Sequence, residues 1–367
     1  IEQGLAATEY IPSPVGATAQ AGVLENTPRL NYTTGVANPY LLLEPSRTNL
    51  ISQSEYFGGA SWIKNFSSIT SNAVISPDGA LNAGKLVENT DNTSHHLYEN
   101  FTAVGVYTFS VFAKKGEREY VYLYSDAVGR GKSFNLVNGT IDANIIAPPT
   151  NATIEDYGNG WYKCSMTITA NSGAFRIGNC LSSGDFSYQG DGSSGIYIFG
   201  AQLEAGSYPT SYIPTYSVSA TRAGDAMNNS SLGLTDCTFF VDFVPLSSIM
   251  GLLDFYNNSN ARAFYVAFSS IRFITFNSVL GGTIGNVGPQ FNVGETIKLA
   301  FTLNASTGDV TIFINGIKYS TYSTTISSLN KILQVASFGY YNNTKFNQIL
   351  TFPSMLSDAE AITLTTI

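Results

Sequence analysis

The chain holds 367 residues with a formal net charge of −8, and only 12% of them are charged against 44% apolar, so two or three domains with ordinary packed cores are expected. The acidic balance and singly scattered Lys and Arg exclude a nucleic-acid binder, which needs a basic stripe to displace counterions from phosphates. No apolar run approaches the roughly 18 to 20 residues of a membrane span, which predicts a soluble chain without a membrane partner.

In chain order, the first phrase is IEQGLAATEYIP, Ile1 to Pro12, a degenerate copy of LEAGSYPTSYIP at Leu203 to Pro214. Residues 13–45 carry Pro14, Pro28 and Pro39 and no sustained alternation, which predicts a connector with one or two short strands. From Ile51 onward the pattern is short alternating runs bounded by turn residues. Val106 to Ala113, Tyr120 to Tyr124, Trp161 to Thr169 and Gly195 to Phe199 predict strands, with turns such as Pro77-Asp78-Gly79 and Gly158-Asn159-Gly160 between them.

A second region comes after Thr221 to Asp225 and the polar run Asn228 to Ser231. Cys237 to Val244, Ala263 to Phe268, Ile271 to Phe276, Ile297 to Leu303 and Val310 to Ile314 predict strands, and Asn315-Gly316 a hairpin turn. Ser357 with Glu360 predicts one capped helical turn. The fold class is therefore all-β: two tandem antiparallel sandwiches at 46–225 and 226–367, behind a connector at 1–45. Cys164, Cys180 and Cys237 lack metal-ligand spacing and predict buried free thiols and assembly in a reducing compartment, with a Cys164 to Cys180 bridge the competing reading.

Several phrases resemble a module widespread in phage and prophage tail proteins, tail fibres especially. They are Leu41 to Leu50, Ser61-Trp62 with Ser76 to Gly79, Tyr107 to Lys114, Gly158 to Cys164 and Gly190 to Gly206, in that order. The resemblance covers about Leu41 to Asp225 and implies a jelly-roll carbohydrate-binding fold. The second half is similar to the concanavalin A-like, laminin-G-type lectin sandwich at Gly294-Glu295, Lys298 to Ala300, Ile314 to Gly316, Phe338 to Tyr340 and Leu356 to Glu360. If the phrase at Leu203 to Pro214 is the last strand of a module and its exit into a linker, Ile1 to Pro12 is the exit of an earlier one, and the sequence is expected to be a segment of a longer fibre.

Nothing here matches a nucleophile elbow, a phosphate loop or a zinc-protease helix, so no enzyme is expected. His95 and His96 are adjacent, cannot share one strand face, and are expected at the surface or in a loop. Glu117-Arg118-Glu119 reads as a solvated turn, and Asp242 as the partner of an Arg. The abundance of Tyr (22) and Phe (23) among amides and hydroxyls suits neutral sugars, whose apolar faces stack on rings. Tyr120, Tyr122 and Tyr124 share one strand face at period two, with Arg118 and Asp126 at its ends, and form the candidate glycan platform. The competing reading packs them inside. Tyr256-Asn257 and Tyr340-Tyr341-Asn342 offer an aromatic-then-amide pattern on two loops of the second sandwich, or turn chemistry alone. Trp62 and Trp161 are expected in the core.

The jelly-roll resemblance implies a structural Ca²⁺, for which Glu44, Asp191 and Glu204 are the conceivable ligands, although Glu44 could instead pair with Arg47. It also implies a setting: a non-catalytic, glycan-recognising segment of a virion tail fibre assembled in the bacterial cytoplasm. Its partners would be host-surface polysaccharide and other virion proteins, and its state a homotrimer whose repeated weak sites gain avidity. A purely structural fibre protein and a polysaccharide-degrading enzyme of lectin-like fold are the alternatives.

Overall fold

The computed structural model describes residues 30–31, 40–102, 104–170, 172–225, 227–229, 236–246, 250–256, 262–268, 274–278, 282–323, 331–335 and 344–366. Apart from one helix, the regular elements among these residues are strands, and every sheet pairing of named strands is antiparallel. The chain is all-β and divides into two units.

The first unit contains Arg47–Arg222. Its front sheet runs in the order Thr140–Ile146, Arg130–Asn135, Tyr120–Ser125, Gly173–Cys180, His96–Phe101, Ile63–Asn65. Its back sheet runs Asn151–Asp156, Trp161–Ala170, Gly105–Lys115, Gly195–Ala205, Leu81–Glu88, Ser67–Ile75. Non-sequential neighbours make this a jelly-roll type of winding. Strand alternation sends Val121, Leu123, Phe175 and Ile177 from the front and Phe109, Val111, Met166 and Ile198 from the back into one core. Phe109 meets Phe175 edge-on at 5.4 Å. Cys164 and Cys180 are buried and unbridged, as is Cys237 in the second unit. Trp62 and Trp161 are buried, each donating its indole N–H to a backbone carbonyl, of Gln53 and Ile75 respectively.

The last strand, Gly195–Ala205, is longer than the sequence predicts, because Gly200 at φ +62° admits a bulge that lets the strand continue. The segment after it is not a linker. Thr210, Ile213 and Thr215 are buried, and the Tyr212 ring packs 5.9 Å from that of Phe112 and 5.6 Å from that of Phe199. The Asn49 amide donates to the Ile213 carbonyl at 2.9 Å and Lys163 to the Thr210 carbonyl at 2.5 Å. The expected exit segment is thus a clasp folded back over the outer face of the back sheet. Its copy at Ile1 to Pro12 lies outside the described residues.

In the second unit, a seven-stranded sheet has the order Leu30–Asn31, Tyr40–Leu43, Thr344–Phe352, Cys237–Pro245, Ile297–Asn304, Asp309–Ile314, Ile317–Ser323. The one or two short strands expected within the connector are two and lie at one side of this sheet, Leu30–Asn31 at its edge and Tyr40–Leu43 next to it, and residues 23–46 group with it. A six-stranded sheet has the order Met227–Asn229, Lys331–Val335, Met250–Tyr256, Arg262–Phe268, Ile274–Ser278, Gly282–Val287. Asn315 and Gly316 both take positive φ in the tight turn between Ile314 and Ile317. The capped turn expected at Ser357 is a helix of eight residues, Asp358–Thr365, with the full capping box of Ser357 and Glu360. Its Ala361 seals Phe240, Ala300 and Phe313 on one face of the seven-stranded sheet. Asp242 does not pair with an Arg: it accepts from the Asn347 amide at 2.7 Å, with Lys298 opposite it in register. Among the described residues no helix is long and apolar enough to cross a membrane.

Candidate functional site: the outer face of the front sheet

Residues paired across antiparallel strands point to the same face, so the register defines the outer face row by row. Tyr124 stands beside Arg176, which stands beside Tyr98, which stands beside Ile63. The next row holds Tyr122, Gly178, His96 and Asn65, and the one beyond it Tyr120 with Cys180.

The expected tyrosine platform is only partly realised. The three tyrosines do lie on the outer face, because Val121 and Leu123 take the core, which is the reverse of the competing reading. Yet Tyr122 is 1% exposed and Tyr124 8%, so neither presents a ring to a sugar. Two glycines let this happen. A Cβ on Gly178 would lie 2.3 Å from the Tyr122 ring, and one on Gly131 2.9 Å from the Tyr124 ring. With no side chains there, the rings lie flat on the sheet, and Ile145 and Phe186 close over them; Phe186 sits 5.7 Å from Tyr122 between ring centres. Burial accordingly pushes the Tyr122 hydroxyl well above its ordinary pKa. Tyr120 remains half-buried, with the Asn135 amide donating to its hydroxyl at 3.1 Å.

Tyr98, Ile63, Asn65 and the charged pair Arg176–Asp126 stay open on this face. Arg176 places its guanidinium 5.5 Å from the centre of the Tyr124 ring and forks onto Asp126, with Nε to Oδ2 at 2.8 Å and the second nitrogen to Oδ1 at 2.5 Å. The side chains of Arg176 and Asp126 keep 29% and 33% of their exposure. A half-buried ring, an aliphatic neighbour, and a donor and an acceptor fixed side by side make an amphipathic row suited to the apolar face and hydroxyls of a sugar. Sequence reading named Asp126 but missed Tyr98, Ile63 and Arg176. The alternation of Phe175-Arg176-Ile177 was the available signal, a cation placed outward on an apolar strand.

His96 closes the inner end of the row, its ring centre 6.0 Å from that of Tyr98. Both histidines are buried rather than at the surface, His95 in the coil just before the strand His96–Phe101 and His96 as its first residue. His95 is held between the carbonyls of Phe66, at 2.8 Å, and Tyr188, at 3.3 Å. His96 lies 3.3 Å from the Ser94 hydroxyl, and burial together with the nearby Arg176 charge lowers its pKa to about 4. It is therefore a neutral wall of the site at physiological pH.

Arg118 is engaged within the sandwich itself, and the turn that holds it is not simply solvated. Its guanidinium bridges both oxygens of the fully buried Glu88 carboxylate, with Nε to Oε2 at 2.8 Å. Glu88 also accepts from the Tyr188 hydroxyl at 2.6 Å and the Asp191 amide at 2.9 Å. Asp191 in turn accepts from the hydroxyls and amides of Ser194 and Ser193, which hold its pKa well below the usual carboxylate range. These bonds staple the Gly190 to Ser194 turn to the sandwich. Glu117 and Glu119 face Lys85, at 2.7 Å, and Lys115, at 3.9 Å.

The conceivable Ca²⁺ ligands do not gather. Asp191 is spent in its turn, and Glu204 is wholly buried among the donors of Gln202, Thr210 and Arg47. Glu44 belongs to the second unit, where its backbone exchanges hydrogen bonds with Asp225. Among the described residues no group of three His, Cys, Asp or Glu could hold a metal ion. Of the second sandwich's candidates, Tyr256 ends the strand Met250–Tyr256 opposite Arg262 and Lys331. Asn257, Tyr340, Tyr341 and Asn342 lie outside the described residues.

No family model and no curated protein sequence matches the chain. Among solved structures it is similar to a heptameric SAP-like pentraxin from Limulus polyphemus, at 7% identity over 38% of this chain and 75% of that one, with a TM-score of 0.33. It is also similar to a tetrameric galectin from the ball sponge Cinachyrella sp., at 16% identity over 35% of this chain and 99% of that one, TM-score 0.29. A third likeness is to the CBM40 of Ruminococcus gnavus IT-sialidase bound to α2,3-sialyllactose, at 13% identity over 36% and 84%, TM-score 0.30.

Proposed function

We propose that this chain is a non-catalytic, glycan-recognising segment of a phage tail fibre or related virion-surface protein. The observation that carries the reading is the amphipathic row Ile63–Tyr98–Arg176–Asp126 on the outer face of the front sheet, where a ring and a fixed donor–acceptor pair stand together at a half-open surface. The fibre setting is supported by the ordered tail-protein phrases between Leu41 and Gly206, and the neutral ligand class by the low share of charged residues. A single such row holds a sugar weakly, and presentation in several copies on a homotrimeric fibre raises its avidity. Binding to an array of bacterial surface polysaccharides that disappears in Tyr98→Ala and Arg176→Ala, with the fold intact, is the expected result. The burial of Tyr122 and Tyr124 favours a second reading, a purely structural fibre module; failure of the assembled protein to bind any host polysaccharide would select it.

A further inference from the structure

Gln202, Glu204 and Thr210 lie under the clasp, away from the outer face of the front sheet, and their arrangement exceeds what packing requires. Gln202 and Glu204 are two apart on the strand Gly195–Ala205 and so share its clasp-covered face. Gln202 and Glu204 have no exposed surface, Thr210 keeps 1%, and Ile213 none. The Thr210 hydroxyl donates to Oε2 of Glu204 at 2.7 Å. The other oxygen of the same carboxylate accepts from the Gln202 amide nitrogen, also at 2.7 Å. The Gln202 amide oxygen accepts from the backbone N–H of Ile213 at 2.7 Å, and its nitrogen lies 3.5 Å from the Thr210 carbonyl.

These are the parts of an acyl transfer: a hydroxyl on a base, a leaving nitrogen on the same base, and an N–H on the carbonyl oxygen. We propose that Thr210 and Gln202 condense into an intramolecular ester that covalently locks the clasp. Thr210 Oγ attacks Cδ of Gln202 while its proton passes to Glu204. The Ile213 N–H holds the oxyanion of the tetrahedral intermediate. The Cδ–Nε2 bond then breaks, Glu204 returns the proton to nitrogen, and one molecule of ammonia leaves. The balance is alcohol plus primary amide to ester plus ammonia, with no oxidant, metal or cofactor. Burial keeps out the water that would otherwise hydrolyse the ester. The reaction runs once per chain, so it is a maturation step distinct from any ligand binding.

The test is the intact mass of the denatured protein, together with cleavage after Glu204. The expected mass is lower than that of the sequence by one ammonia. The peptides on either side of the Glu204–Ala205 bond should stay joined through residues 202 and 210 and separate on mild alkaline hydrolysis. Thr210→Val and Glu204→Gln should restore the full sequence mass, and Thr210→Ser, which keeps a nucleophile, should not. A wild-type chain at its full sequence mass whose peptides separate would overturn the proposal, whatever the variants do. So would an ammonia loss that survives in Thr210→Val, because it would belong to another site such as Asn138-Gly139.

Discussion

The two outer faces of the first unit begin alike and end differently. Each sheet sends aromatic rings outward, Tyr120, Tyr122 and Tyr124 from the front and Phe112 and Phe199 from the back. The back face is sealed by the clasp, whose Tyr212 packs on both phenylalanines. The front face is covered over Tyr122 and Tyr124 by Ile145 and Phe186, but left open along Ile63, Tyr98 and Arg176. Strand chemistry alone therefore does not decide which aromatic face can bind; the segment packed over the strand decides it.

The sharpest way to break this comparison is to unseal the back face. Glu204→Ala removes the carboxylate that Thr210, Gln202 and Arg47 share in a dry site, and the loss of a buried ionic partner costs about 3–5 kcal/mol. A fall of that size is expected in chemical denaturation, together with protease cutting between residues 206 and 216. Unchanged stability would mean that the clasp is an ornament on a self-sufficient sandwich.

A second substitution separates scaffold from site on the front face. Arg118→Ala leaves the Glu88 carboxylate without its bridging cation and is expected to cost about 3 kcal/mol, less than Glu204→Ala because the arginine keeps 16% of its exposure. Glycan affinity measured by calorimetry below the lowered melting point should not change. A selective loss of affinity at constant stability would return Arg118 to the binding residues.

How much of the structure was legible in the sequence depends on where each cause lies along the chain. Strands such as Gly105–Lys115 and Cys237–Pro245 show in their own β-branched and aromatic runs, although their central residues are buried on both faces. The clasp does not, since Ser207 to Pro214 has no period, and its burial comes from Asn49 and Lys163, far away in sequence. The tyrosine strand shows its period but not its cover, which is supplied by Phe186 and by the missing side chains of Gly131 and Gly178. The burial of His95 is hidden because its ring partners are backbone carbonyls, which leave no trace in composition, and that of His96 because its ring partners, Ser94 and Asn65, show no pattern with it along the chain. The open row was the hardest to see, because Ile63, Tyr98 and Arg176 come from three strands and meet only through register.

Within that row the expected effects are smaller and fall on binding. Tyr98→Ala should weaken glycan binding about tenfold, or about 1.4 kcal/mol, and shift stability by less than that. Arg176→Lys should recover less than half of what Arg176→Ala loses, because an ammonium cannot reproduce the fork onto Asp126.

The smallest effect is in pH dependence, and it contrasts two neighbours on one strand that point to opposite faces. Glu99 turns inward, where burial raises its pKa from 4.5 to about 7 against the opposing hydrogen bonds of Ser52, whose hydroxyl donates to Oε1 at 3.3 Å. A raised carboxylate pKa means that the folded state binds the proton more tightly, so this contribution is complete below pH 4.5 and is lost as pH rises through about 7. His96 turns outward, and its pKa is lowered from 6.5 to about 4, so its contribution is complete above pH 6.5 and is lost as pH falls toward 4. Between pH 4.5 and 6.5 the two slopes oppose and the melting temperature should be nearly flat. Glu99→Gln removes one arm, and its melting temperature should then rise with pH across that window; a profile that stays flat would show that Glu99 ionises freely in the folded protein.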